Sequence, residues 1–216
     1  MKIKININIF LFCILFILTN QIEIYALSML FALIHEIGHL LMGIFLKHKI
    51  DTFRIMPLGF SIEFKEKIED YNIKVLKSKK IILDKLLISA AGPITNLIII
   101  LILIITKTSN LNLIYSNLII MLFNLIPIYP LDGGRIVLNL LKLFIKNEKA
   151  YTYSNTISNI FIVLLTLISS IGIYYYKNIA ILLILAVLWT MNIRENKKYN
   201  IYYKIYQVID KEANYL

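Results

Sequence analysis

Long apolar runs alternate with short polar, lysine-rich segments along this chain. Six runs stand out, at 5–18, 24–46, 81–105, 111–126, 157–174 and 179–193. A helix needs roughly 20 apolar residues to cross the ~30 Å hydrocarbon core of a bilayer, and backbone groups find no partner in lipid, so each run is expected to be helical. The segment 47–80 breaks this rhythm. Ile50-Asp51-Thr52-Phe53-Arg54-Ile55-Met56 alternates with period two, Pro57-Leu58-Gly59 is a turn signal, and Phe60-Ser61-Ile62-Glu63-Phe64 alternates again. That pattern predicts a β-hairpin at the membrane surface. Residues 65–80 are charged and read as an amphipathic helix or a solvated linker. The expected fold class is an all-α polytopic membrane protein of about six transmembrane helices, with a small β-hairpin between the second and third. Residues 1–193 form the six-span domain. Residues 194–216, with tyrosines among lysines, form a short cytoplasmic tail lying on the lipid surface.

Composition excludes the main alternatives. The 216 residues are 59% hydrophobic and 17% charged, against about 45–50% and about 25% for a soluble domain. Intrinsic disorder is thereby ruled out, and a polytopic membrane protein is favoured over a water-soluble domain. The net charge of +10 is explained by orientation. With the N-terminus in the cytoplasm, only Lys107 and Lys177 of the 23 lysines and arginines fall in outside loops, as the positive-inside rule requires. Both termini are then cytoplasmic, and attraction to anionic lipid accounts for the excess without a nucleic-acid partner. The single cysteine, Cys13, allows neither an internal disulfide nor a cysteine-ligated zinc site. Lys2 and Lys4 precede the first run and no small-x-small cleavage site follows it, which favours a retained anchor over a signal peptide.

The chemistry concentrates in the second run, at His35-Glu36-Ile37-Gly38-His39. Histidines at i and i+4 share a helix face one turn apart, so both imidazoles can bind one metal ion. Glu36 is placed to act on the water rather than on the metal, which is the H-E-x-x-H arrangement of zinc proteases. The bland reading is a structural polar cluster between helices, but ionisable groups inside a membrane are costly and default to function. His48 follows Lys47 and reads as a solvated loop residue; Asp84 reads as one member of an interfacial charge pair with Lys85.

A catalytic zinc needs a third protein ligand and an open position for water. Asp132 is the candidate. It lies in Pro127-Ile128-Tyr129-Pro130-Leu131-Asp132-Gly133-Gly134-Arg135, where two prolines break the helix and two glycines let the backbone bend. Its bland reading is a turn or helix-capping aspartate. Topology agrees with the metal reading, because the second and fourth runs both go from outside to inside and carry His35, His39 and Asp132 toward the cytoplasmic face. Asn124, Asn96 and Pro130 are candidate substrate-binding residues; the two asparagines read equally well as glue between helices.

His35-Glu36-x-x-His39 together with Pro130-Leu131-Asp132-Gly133-Gly134-Arg135 resembles the site-2 protease family of intramembrane zinc metalloproteases. Ala91-Gly92-Pro93-Ile94-Thr95-Asn96 also resembles a signature of that family. The spacing of Asn124, Pro127, Pro130 and Asp132 is most similar to its sporulation branch in spore-forming bacteria. The resemblance covers residues 1–193. It implies one Zn²⁺ per chain held by His35, His39 and Asp132, with Glu36 as the catalytic acid–base. It also implies a membrane-tethered substrate, a pro-sigma factor in the sporulation branch, and inhibitory membrane partners. That branch typically carries a C-terminal nucleotide-sensing CBS domain, for which the tail 194–216 is too short.

Competing readings keep the chemistry or change the class. The same protease could cut anti-sigma factors or signal-peptide remnants, and the sequence does not separate these. A zinc transporter or scaffold would not need Glu36 and should show repeated halves with ligands in each; no such repeat is found. The prenyl-protein type of membrane zinc protease commonly uses a glutamate as third ligand, which Asp132-Gly133-Gly134 argues against.

Overall fold

The computed structural model describes residues 2–56, 59–65, 79–108, 110–176 and 181–197. Elements follow in the order β1 (Lys2–Ile5), α1 (Asn8–Leu18), α2 (Ile22–Phe45), β2 (Ile50–Met56), β3 (Gly59–Phe64), α3 (Lys79–Ile105), α4 (Leu111–Leu125), α5 (Asp132–Phe144) and α6 (Asn147–Tyr176). A last helix, α7, occupies 181–197. Packing divides the chain into two compact units, Met1–Leu125 and Ile126–Leu216.

In the first unit, α2, α3 and α4 pack on one another and the sheet leans on α2. α2 ends where Lys47 takes a left-handed conformation (φ 62°) and the His48 N–H bonds back to the Gly43 carbonyl at 2.8 Å. This cap satisfies a carbonyl that the helix leaves without a partner and turns the chain back on itself. The expected hairpin is present, with β2 and β3 antiparallel from Ile50↔Phe64 to Met56↔Gly59. It is part of a larger sheet, because β1 pairs in parallel with β2 from Lys2↔Thr52 to Ile5↔Ile55. The first helix therefore begins at Asn8 rather than at residue 5. The alternation Lys2-Ile3-Lys4-Ile5-Asn6-Ile7 already had the strand period. Nor does the hairpin sit beyond the end of α2. The Phe64 ring packs on Gly43 and Gly59 approaches Ala32, so β3 runs along the stretch of α2 that holds both histidines.

In the second unit, α5 packs on α6. α7 is tied to α6 by the Trp189 indole N–H on Thr166 Oγ1 (3.0 Å) and by the Asn192 and Asn196 amides on Asn159 Oδ1 (2.8 and 3.1 Å). α5 was not among the expected helices. Asp132, Gly133, Gly134, Arg135 and Lys142 interrupt its apolar positions, so it is a short amphipathic helix and not an apolar run.

Three described helices, α2, α3 and α6, are long and apolar enough to cross a membrane. Of the six expected spans, α1 and α4 are apolar but have only 11 and 15 residues, short of the ~20 that a crossing needs. Among the described residues, length and composition thus support three spans of the expected six. The segment 66–78 and the tail 198–216 lie outside the described residues, as do Pro57 and Leu58 of the expected turn. Polarity is inverted relative to a soluble protein. Ile98, Leu101 and Ile105 on α3 and Leu164, Ile168 and Ile171 on α6 are exposed, while Asn96, Asn117, Ser158 and Asn192 are buried. That distribution suits a hydrocarbon solvent, in which polar groups must find partners inside the protein.

Candidate metal centre

His35 and His39 occupy successive turns of α2 and are almost fully buried, at 2% and 4% exposure. Their Nε2 atoms are 3.1 Å apart and their rings stand edge to face. His39 Nδ1 lies 2.6 Å from the Ile88 carbonyl of α3. A carbonyl only accepts, so Nδ1 carries the proton and donates it, and His39 Nε2 is left with a lone pair facing His35. Metal-binding histidines are typically held in this way through their other nitrogen.

The donor spacing fits zinc. Two nitrogens at 2.0–2.1 Å from a tetrahedral ion are about 3.3 Å apart, close to the observed 3.1 Å. The space beside them fits as well. A Cβ placed on Gly92 of α3 would come within 2.5 Å of Nε2 of both histidines. Only a residue without a side chain leaves that approach open, which is a physical reason for glycine at 92. Glu36 is half-buried and already engaged with a neighbouring group.

Asp132 belongs to the second unit. It is the first residue of α5 and is 5% exposed. The backbone before it is irregular: the Ile128 N–H bonds to the Ile126 carbonyl at 2.7 Å, the Leu131 N–H to the Ile128 carbonyl at 2.8 Å, and the Tyr129–Pro130 peptide is cis. The loop lies directly against Gly134, where a Cβ would meet Tyr129 N and the Ile128 carbonyl carbon. Asp132 thus sits at a helix start, as its bland reading had it, and is also a buried carboxylate. His35, His39 and Asp132 each offer one ligand atom of a type that zinc accepts.

The candidate substrate residues divide. Asn96 is fully buried in the first unit, and its backbone carbonyl accepts from Asn117 Nδ2 at 3.0 Å, which joins α3 to α4. Asn124 is half-buried and donates to the Ile120 carbonyl of its own helix at 3.0 Å. Pro130 is half-buried in the break. The reading of His48 and Asp84 needs correction. Nε2 of His48 lies 3.3 Å from Asp84 Oδ2 and both side chains are mostly covered, at 12% and 14% exposure. The left-handed turn at Lys47 folds His48 back onto α3, which a linear reading cannot anticipate. Sequence reasoning also missed the Ile88 carbonyl, which carries no residue-type signal, and Ser158, which is hidden in an apolar run.

Comparison with known proteins identifies a family and relatives. The profile of Peptidase family M50 matches residues 23–111 and 110–168, more than half of the chain. Stage IV sporulation protein FB of Bacillus subtilis (strain 168) is 27% identical over 172 residues, which cover 76% of this chain and 56% of that protein. Zinc metalloprotease MJ0392 of Methanocaldococcus jannaschii is 28% identical over 208 residues, covering 88% of this chain and 52% of the relative. The chain therefore spans about half the length of these two relatives. Among solved structures, the Site-2 Protease from Methanocaldococcus jannaschii has a similar fold, with a TM-score of 0.64 at 22% identity and 89% of each chain covered.

Proposed function

Since this chain belongs to peptidase family M50, the site-2 protease family, we propose that it is an intramembrane zinc endopeptidase with its metal held by His35, His39 and Asp132. One observation carries the reading: two buried imidazoles with Nε2 atoms 3.1 Å apart, one fixed by a backbone carbonyl, beside a glycine that keeps their approach clear. The chemistry a bound zinc supplies is Lewis acidity toward a peptide carbonyl and a lowered pKa, near 7, for water. Two neutral imidazoles and one carboxylate leave net positive charge at the site, which favours that acidity. Glu36, next to His35 in sequence, takes the proton of the attacking water and returns it to the leaving amine nitrogen. The Ile88 carbonyl keeps His39 in the tautomer that presents Nε2.

A helical substrate hides its carbonyls and must be extended before attack. β3 runs beside the histidine-bearing stretch of α2, and an extended segment adding to this sheet as a strand is presented at that level. The substrate we assign is a membrane-tethered pro-sigma factor. Support comes from the similarity to Stage IV sporulation protein FB and from the spacing of Asn124, Pro127, Pro130 and Asp132. Residues 1–193 form the protease domain, both termini face the cytoplasm, and membrane partners hold the enzyme silent. The test is Glu36→Gln in cells co-producing a candidate pro-sigma factor. Full-length substrate accumulates while the purified variant retains zinc; continued cleavage ends the protease reading. Anti-sigma factors and signal-peptide remnants, co-produced instead with the unmodified chain, decide the substrate class.

A further inference from the structure

Serines and threonines inside helices usually bond back to the carbonyl one turn earlier. Ser89 does so to Lys85, Thr166 to Ile162 and Ser170 to Thr166. Ser158 on α6 does not. Its hydroxyl reaches across to the proline-flanked break, accepts from the Tyr129 N–H at 3.0 Å, and donates to the Pro127 carbonyl at 3.4 Å. A hydroxyl has one proton and two lone pairs, so a single buried side chain serves a donor and an acceptor of the same loop. Those loop groups have no strand or helix ladder to join, because Pro127 and Pro130 lack N–H groups and break the helix. Ser158 is 1% exposed, so no solvent competes for these bonds. On the other side the loop is bounded by Gly134, whose missing Cβ lets α5 sit directly on Tyr129 and Ile128. Asp132 lies between these two fixed points, three residues after Tyr129 and two before Gly134.

We propose that Ser158 is a positioning residue: its hydroxyl clamps the 127–129 backbone and thereby sets where the Asp132 carboxylate sits as a zinc ligand. The proposal rests on the reading of Asp132 as a ligand. Loss of a partner that orients a metal ligand costs about 10- to 100-fold in metal affinity. The experiment uses the full chain purified in detergent. It measures zinc affinity by competition with a chelating dye, and records the visible spectrum of the cobalt-loaded protein. Ser158→Ala weakens zinc about tenfold and alters the cobalt spectrum, and Ser158→Thr, which keeps the hydroxyl, restores both. Ser154→Ala, a buried serine one turn earlier on α6, leaves both readouts unchanged. Asp132→Ala separates the two levels of the argument. If it weakens zinc while Ser158→Ala binds as the unmodified chain does, the clamp is refuted and the ligand reading survives. If Asp132→Ala itself keeps full affinity, both fall. Equal weakening by Ser154→Ala and Ser158→Ala also overturns the clamp, since the effect is then general destabilisation.

Discussion

At the scale of single residues, the His35–His39 pair is framed by groups that carry no metal chemistry of their own. Gly92 matters by what it lacks. Alanine there would press a methyl group against both Nε2 atoms, and overpacking a close contact costs about 1–3 kcal/mol. Gly92→Ala is therefore expected to lower zinc affinity at least tenfold and to lower the Tm of the zinc-free protein by several degrees. Isothermal titration and a detergent thermal melt check the two parts. Unchanged affinity would mean that the imidazoles do not use the space facing α3. The Ile88 carbonyl plays the complementary part, holding His39 from behind. No side-chain substitution removes a carbonyl, so its contribution is read through the residues that place α3.

At the scale of elements, the far end of β3 is seated on α2 through a large-on-small contact, the Phe64 ring on Gly43. Gly43→Leu fills the seat and drives Phe64 outward, one turn beyond His39. Because Gly43 is not a ligand and touches neither imidazole in that contact, zinc content should stay at the level of the unmodified chain. Cleavage of an extended substrate should fall about tenfold or more. Metal analysis and a cleavage assay on the same preparation decide it; loss of zinc would show instead that the sheet supports the ligands themselves. The hairpin behind this prediction was legible in its period-two alternation and in Pro57-Leu58-Gly59. The third strand was equally written in Lys2-Ile3-Lys4-Ile5, but it abuts an apolar run, and the run dominates a hydropathy reading. α5 escaped for the related reason that polar residues punctuate a short helix.

At the scale of the whole molecule, charge asymmetry and inverted polarity bear on orientation. Apolar side chains cover the outside of α3 and α6 while asparagines and serines lie within the packed units. Only Lys107 and Lys177 oppose the assigned orientation. In a Cys13→Ser background, Lys107→Cys should react with a membrane-impermeant maleimide in intact cells, and Lys49→Cys should react only after permeabilisation. The reverse pattern would invert the topology and with it the cytoplasmic placement of the site.

What the amino-acid sequence determined by itself was everything that depends on spacing along one element. Legible there were a membrane chain from unbroken apolar runs, a histidine pair on one helix face from an i, i+4 repeat, a carboxylate at a proline-made break, and the family those motifs resemble. Tertiary structure decided what depends on meetings between elements: His39 on the Ile88 carbonyl, Gly92 against two imidazoles, His48 on Asp84, Ser158 on the backbone of a distant loop. Local periodicity reports which face a residue occupies. It does not report what lies opposite, because a partner 29 to 57 positions away enters only when helices and turns have been packed.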